Sequence, residues 1–185
     1  MPEGEDFFEV VMKAIETSYD GYLFRSRLEA RWAVFFKTLN IKYEYEKEGF
    51  DIDGVWYLPD FFIPDHSCWI EIKPENSISK KEYVKINSFA KATNDKFILI
   101  IGPPIECHYN IRLLANKDLD AVELLEISST NFAFAIARRA SKPELCISTD
   151  YCAYNLVNET TDDNERWPIC PESAYSAVAR ERFDK

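Results

Sequence analysis

The chain has 185 residues, 46% hydrophobic and 15% aromatic, enough for one substantial core or a core with an extension, so one or two domains are expected. Its 32 acidic and 22 basic residues leave a net charge of −10, which disfavours tight non-specific clamping of duplex DNA, a mode that depends on releasing counterions from phosphates. No apolar run approaches the length of a bilayer span and the acidic start has no signal-peptide pattern, so a cytoplasmic protein with no membrane partner is expected.

The residues before Tyr19 are acidic and partly amphipathic, which suggests a peripheral helix. From Arg25 to Asn40, Leu28, Trp32, Phe35, Phe36 and Leu39 recur at helical spacing and define an apolar stripe, with Ser26 as a cap. At about 100° per residue, Glu29 falls beside Phe36 at the margin of that stripe, where a carboxylate needs a partner. A nearby arginine such as Arg25 could supply one; the alternative is that Glu29 belongs to a site. Tyr43 to Glu46 reads as a first strand.

Trp56 to Phe62 and Trp69 to Ile72 are aromatic and apolar, and Pro64-Asp65-His66-Ser67 between them supplies turn residues, so the spacing predicts a β-hairpin. His66 reads as a solvated turn residue rather than a base. Alternation along the second strand puts Trp69, Glu71 and Lys73 on one face and Ile70 and Ile72 on the other. If Asp60 faces them from the neighbouring strand, its carboxylate and that of Glu71 converge on one divalent cation, with the Ile72 carbonyl as a third ligand. Hard oxygen ligands suit Mg²⁺ or Mn²⁺ better than zinc.

Ser77 to Ala92 carries Tyr83, Ile86, Phe89 and Ala90 at roughly helical spacing, with Lys81 and Lys85 one turn apart. Phe97 to Ile101 is a continuous apolar run closed by Gly102-Pro103-Pro104, as expected of a strand buried on both faces. Farther on, Asn131 to Arg139 and Leu145 to Tyr154 alternate as a second hairpin about Ala140-Ser141-Lys142-Pro143. Asn158 to Glu165 reads as a surface loop and Glu172 to Phe183 as a terminal helix. Residues 1–118 are taken as the core and 119–185 as a smaller α+β extension, with a separate substrate-recognition lobe as the alternative. Five cysteines at irregular positions do not describe a disulfide framework. Cys146, Cys152 and Cys170 with Cys107 or His108 lack the close pair that marks a zinc site, and buried or half-buried thiols within strands are the better reading.

The string Pro59-Asp60, ten intervening residues, then Glu71-Ile72-Lys73 resembles the signature of the PD-(D/E)XK nuclease superfamily. The resemblance covers about Leu23 to Pro104. It implies an α/β (α+β), restriction-endonuclease-like core, a mixed central sheet flanked by helices, with the motif on a central hairpin and a glutamate, here Glu29, from the preceding helix. It further implies a Mg²⁺- or Mn²⁺-dependent endonuclease acting on phosphodiester bonds, most readily in DNA. Glu29, Asp60, Glu71 and Lys73 would be catalytic, and Glu29, Asp60, Glu71 and the Ile72 carbonyl would hold metal. Arg25, Arg27, Lys80, Lys81 and Lys85 are the candidate nucleic-acid contacts, a basic rim around an acidic pocket. The wider layout is similar to small nuclease-like proteins of bacteriophages and mobile elements. No Gln-x-x-x-Tyr pattern follows Lys73, so the RecB-like exonuclease branch is not expected. A ribonuclease, a homodimer that cuts two strands, and a non-catalytic acidic binding protein on a nuclease scaffold remain open at this point.

Overall fold

The computed structural model describes residues 14–74, 78–104, 111–115, 133–136, 145–148, 153–155, 161–162 and 172–183. The first strands, β1 (Thr17–Tyr19) and β2 (Tyr22–Phe24), form a hairpin closed by Asp20-Gly21, with φ of 50° and 84°. Two consecutive positive φ angles match the twist of the flanking strands, which is why Asp-Gly closes such hairpins. Thr17 and Ser18 are therefore strand and not the helix expected before Tyr19; residues 1–13 of that expectation lie outside the described residues.

Helix α1 (Arg27–Thr38) begins as its sequence predicts, with Ser26 Oγ accepting the Glu29 N–H at 3.2 Å. A serine cap of this kind stabilises a helix by about 1 kcal/mol. Trp32, Phe35 and Phe36 are fully buried, and Trp32 Nε1 donates to the Gly102 carbonyl at 3.0 Å, tying the helix to the far end of the sheet.

The central part of the chain runs β3 (Glu44–Tyr45), β4 (Phe50–Ile52), β5 (Val55–Tyr57), β6 (Phe61–Ile63), a 3-10 turn at Pro64–His66, β7 (Cys68–Lys73), α2 (Lys80–Ala92), β8 (Lys96–Ile101) and β9 (Ile111–Ala115). Five of these strands make a mixed sheet in the order β3-β6-β7-β8-β9, with β7 and β8 parallel and the other neighbours antiparallel. The expected hairpin of β6 and β7 is present, with Phe61 opposite Ile70. Its first strand is shorter than the sequence reading. Asp53-Gly54, with φ of 52° and 79°, folds Val55–Tyr57 back onto Phe50–Ile52 as a separate two-stranded sheet. Pro59 has no N–H to give to a ladder, so the strand cannot run from Trp56 through to Phe62.

His66 lies in the turn as expected but is buried rather than solvated, because the start of β8 closes over it: Lys96 Nζ donates to the His66 carbonyl at 3.2 Å. Helix α2 is fixed by a capping box in which Ser79 and Glu82 each accept from the other's backbone.

The remaining strands, β10 (Ala133–Ile136), β11 (Leu145–Ser148), β12 (Ala153–Asn155) and β13 (Thr161–Asp162), pair antiparallel in sequence order. The pairing of β10 with β11 agrees with the second hairpin, whereas Leu145 to Tyr154 folds back on itself as two strands. Thr161–Asp162 is a short strand within the stretch expected to be loop. Cys146 lies in β11; Cys107, His108, Cys152, Cys170 and the turn at 140–143 lie outside the described residues.

Helix α3 (Glu172–Arg180) packs against α1, with the rings of Tyr175 and Phe35 centred 5.2 Å apart. One face of the sheet, through Phe61, Ile63, Ile70, Ile72, Ile98 and Ile100, meets α1 and α3. The other, through Trp69, Phe97 and Leu99, meets α2 and Tyr57. The chain is thus a mixed α+β protein, and among the described residues no helix is long and apolar enough to cross a membrane.

Candidate active site

Alternation along β7 turns Ile70 and Ile72 toward α1 and Glu71 and Lys73 toward α2, as the sequence predicts. Glu71 and Lys73 therefore meet on one face, with Lys73 Nζ 2.7 Å from Glu71 Oε1. Asp60 stands just before β6, where the ladder with β7 has ended at Phe61 and Ile70. Its side chain supplies the acceptor that the backbone no longer offers: Oδ2 takes the Ile72 N–H at 2.8 Å. The other oxygen, Oδ1, takes Arg25 Nη2 at 2.9 Å.

Arg25 also pairs through Nε with Glu46, 2.5 Å away, so it bridges Asp60 and Glu46 and is not turned to Glu29. Glu29 is instead held by two hydroxyls, from Ser26 at 2.6 Å and Tyr45 at 2.5 Å. The Tyr45 oxygen in turn accepts the Arg25 N–H at 3.0 Å. Glu29, Asp60 and Glu71 are all buried, at 8%, 2% and 3% exposure.

A carboxyl buried among other carboxylates resists ionisation. Burial first, then the charges of Glu71 and Glu29, push the Asp60 carboxyl well above the usual carboxylate range. Burial also raises Glu71, against the opposing pull of Lys73. Lys73 is lowered by its own burial, yet the charges of Glu71 and Asp60 outweigh that and leave its ammonium above its ordinary value. Tyr57, beside Glu71, is pushed up by burial and then by the two carboxylates.

Five of the six oxygens on these carboxylates are hydrogen-bonded or ion-paired. The sixth, Glu71 Oε2, is buried with no hydrogen bond of standard geometry, and the Tyr57 hydroxyl beside it is likewise short of one; that hydroxyl still acts on the Glu71 carboxyl and opposes the rise caused by burial. An unpaired anionic oxygen in a dry site fits a hard cation. Asp60 and Glu71 suit such an ion in charge and donor type. Neither Glu29 nor Asp60 offers an unengaged oxygen, so Asp60 would have to release Arg25 to ligate an ion, and among the described residues no three His, Cys, Asp or Glu side chains are grouped as ligands of one ion. Arg25 and Lys73 provide the positive charge beside Asp60 and Glu71 in this arrangement.

The site opens into a cavity of about 330 Å³ whose wall includes Arg25, Tyr57, Glu71, Lys73 and Lys85. Of the expected basic rim, Arg25 and Lys85 thus reach the cavity. Lys81 is exposed one turn before Lys85, Arg27 is partly exposed with a buried Nε that has no hydrogen bond, and the Lys80 side chain lies outside the described residues. A larger cavity of about 450 Å³, lined by Asp20, Lys37, Tyr43 and others, shares none of the candidate residues.

Sequence reasoning missed Tyr45, Glu46, Trp56 and Tyr57. The Asp53-Gly54 pair was a local signal for the hairpin that carries Trp56 and Tyr57. The contacts of Tyr45 and Glu46 are long-range and leave no local pattern. No protein-family model, curated protein or solved structure matches the chain.

Proposed function

We propose that the chain is a metal-dependent nuclease that hydrolyses phosphodiester bonds, most readily in DNA, on a restriction-endonuclease-like core. The observation that carries this reading is the buried Glu71 carboxyl, whose Oε2 lacks a hydrogen bond of standard geometry, set beside Asp60 and Lys73 on a cavity whose wall also carries Arg25, Lys85 and Glu82. A mixed sheet with the Asp60 and Glu71-Ile72-Lys73 residues at its central hairpin supports it as well.

In this reading Asp60, on releasing Arg25, and Glu71, with the Ile72 carbonyl, would hold Mg²⁺ or Mn²⁺, and Glu29 would add negative charge from α1. The bound ion supplies a Lewis acid that neutralises phosphate charge and acidifies water. The remaining work falls to the chain's own groups. Lys73, held by Glu71, offers a proton donor and positive charge to the phosphate oxygens as negative charge builds on them. Arg25, whose side chain is 54% exposed, is free on its solvent side to exchange Asp60 for a substrate phosphate, matching that anion with its planar fork. Burial of the site strengthens each of these interactions.

Calorimetric titration of the full chain with Mn²⁺ tests the proposal: one specific site is expected, lost in Asp60→Asn. Absence of binding by the wild-type chain would sink it. Lys73→Met is expected to bind Mn²⁺ at least as well as wild type, since it frees Glu71, while cleavage falls by about 10²–10³-fold, as for loss of one transition-state donor. A steady-state assay on the same preparation checks that split.

The net charge of −10 and the internally paired carboxylates favour a second reading, a non-catalytic binding protein on the same scaffold. That protein has no use for a buried unpaired Glu71 oxygen, and it would not take up Mn²⁺ at Asp60.

A further inference from the structure

Trp56 is the most exposed of the large hydrophobic side chains described, at 64%, and its position is not that of a stray surface residue. It sits on β5 beside Tyr57, which points the other way and packs against Phe89 in the core, the two rings tilted with centres 4.8 Å apart. The Trp56 indole lies against Gly49: a Cβ built there would fall within 2.6 Å of Cε2 and 2.8 Å of Cη2, and closer still to Cζ2. A glycine at this position therefore gives the ring a backbone seat. Trp56 also forms part of the wall of the 330 Å³ cavity that holds Glu71 and Lys73, with Arg25, Lys85 and Glu82 on the same wall.

A seated aromatic plane, two cations and a candidate phosphodiester site sharing one cavity define a ligand that is flat and apolar at one end and anionic at the other. We propose that Trp56 is a stacking platform for an unpaired nucleobase flanking the phosphate that is cut, so that the substrate is a single strand or a strand with a splayed-out base. Bases inside a duplex already stack on their neighbours and present only their edges to a groove, whereas an unpaired base offers its whole face. Stacking of this kind accepts any base. The net charge of −10 agrees with it, since a platform supplies affinity that a phosphate clamp would otherwise have to provide.

The inference rests on the nuclease reading, and binding and cutting separate the two. A fluorescently labelled single-stranded DNA, the same strand made abasic, and the duplex are titrated by anisotropy in EDTA, where metal-dependent cleavage is off. The intact strand is expected to bind wild type best. Trp56→Ala should weaken it about tenfold or more, and Trp56→Phe should retain most of the affinity. Gly49→Ala, which keeps the tryptophan but unseats it, should weaken binding like Trp56→Ala. The abasic strand should bind wild type as weakly as the intact strand binds Trp56→Ala. Equal binding by wild type and Trp56→Ala, or a preference for the duplex, overturns the platform. Adding Mn²⁺ then tells which idea has failed: undiminished cutting by Trp56→Ala removes the platform alone, while a wild-type chain that neither binds nor cuts any strand removes both.

Discussion

Asp60→Asn is expected, on the proposed nuclease function, to lower cleavage by about 10²–10³-fold or more, because loss of the ligand proposed for the ion would forfeit several kcal/mol of transition-state stabilisation. The substitution keeps an oxygen that can accept the Ile72 N–H, now 2.8 Å from Oδ2, so the junction of β6 and β7 should stay closed. Asp60→Ala is a different experiment. It leaves the buried Ile72 N–H without its acceptor, at a cost of about 1–3 kcal/mol for the orphaned group, while Arg25 keeps Glu46 and its access to solvent. For a chain of this size each kcal/mol is worth about 2–4 °C in Tm. Thermal melts of the two variants should therefore separate while both lose activity. An alanine variant as stable as wild type would show that Asp60 does not hold the strands together.

The second large effect concerns stability. Asp60 and Glu71 are raised by burial, and Asp60 further by the other carboxylates, so the folded chain holds their protons more tightly than the unfolded chain does. Stability contributed by these groups is present at low pH and is lost as pH rises from the ordinary carboxylate range through the raised folded values. Asp20 and Glu82 act in the opposite sense. The hydrogen bond from Lys37 lowers the first and the Ser79 cap lowers the second, so their contribution is lost as pH falls through those low values. The metal-free protein should therefore be most stable in mildly acid solution and weaken toward neutrality.

Glu71→Gln removes one buried charge, lets the amide oxygen keep Lys73, and gives the Tyr57 hydroxyl an N–H partner. Its Tm at neutral pH without metal should rise by about 2–4 °C for each kcal/mol recovered, its decline with pH should flatten, and Mn²⁺ should no longer stabilise it. Melts from pH 5 to pH 8, with and without Mn²⁺, check all three. A Tm that falls on substitution would mean that the buried carboxylate is satisfied in the fold and is not held in readiness for a cation.

The parts of the fold that could be read in advance are those in which neighbouring residues decide the outcome. The stripe of Trp32, Phe35 and Phe36, the serine cap at Ser26 and the apolar run from Phe97 to Ile101 each produce their element locally. The shared face of Glu71 and Lys73 follows from strand alternation alone. The Asp20-Gly21 and Asp53-Gly54 turns are equally local signals, the first for the β1–β2 hairpin and the second for the hairpin that ends at Tyr57.

Partner choice was not local. Sequence spacing brings Arg25 near Glu29 on the same helical entry, but the fold delivers Asp60 and Glu46 to that guanidinium and Tyr45 to that carboxylate. Burial of His66 likewise depends on Lys96 arriving from thirty positions along the chain. Such contacts are set by sheet order, which no short motif encodes.

Incubation of the purified full chain with linear duplex, single-stranded, branched and RNA substrates, in Mn²⁺, in Mg²⁺ and in EDTA, with Asp60→Asn prepared in parallel, tests the central claim most directly. Cleavage that requires the metal and is absent from Asp60→Asn is the expected result, with the single-stranded and branched substrates cut first. No cleavage of any substrate, or equal cleavage by Asp60→Asn, would contradict it.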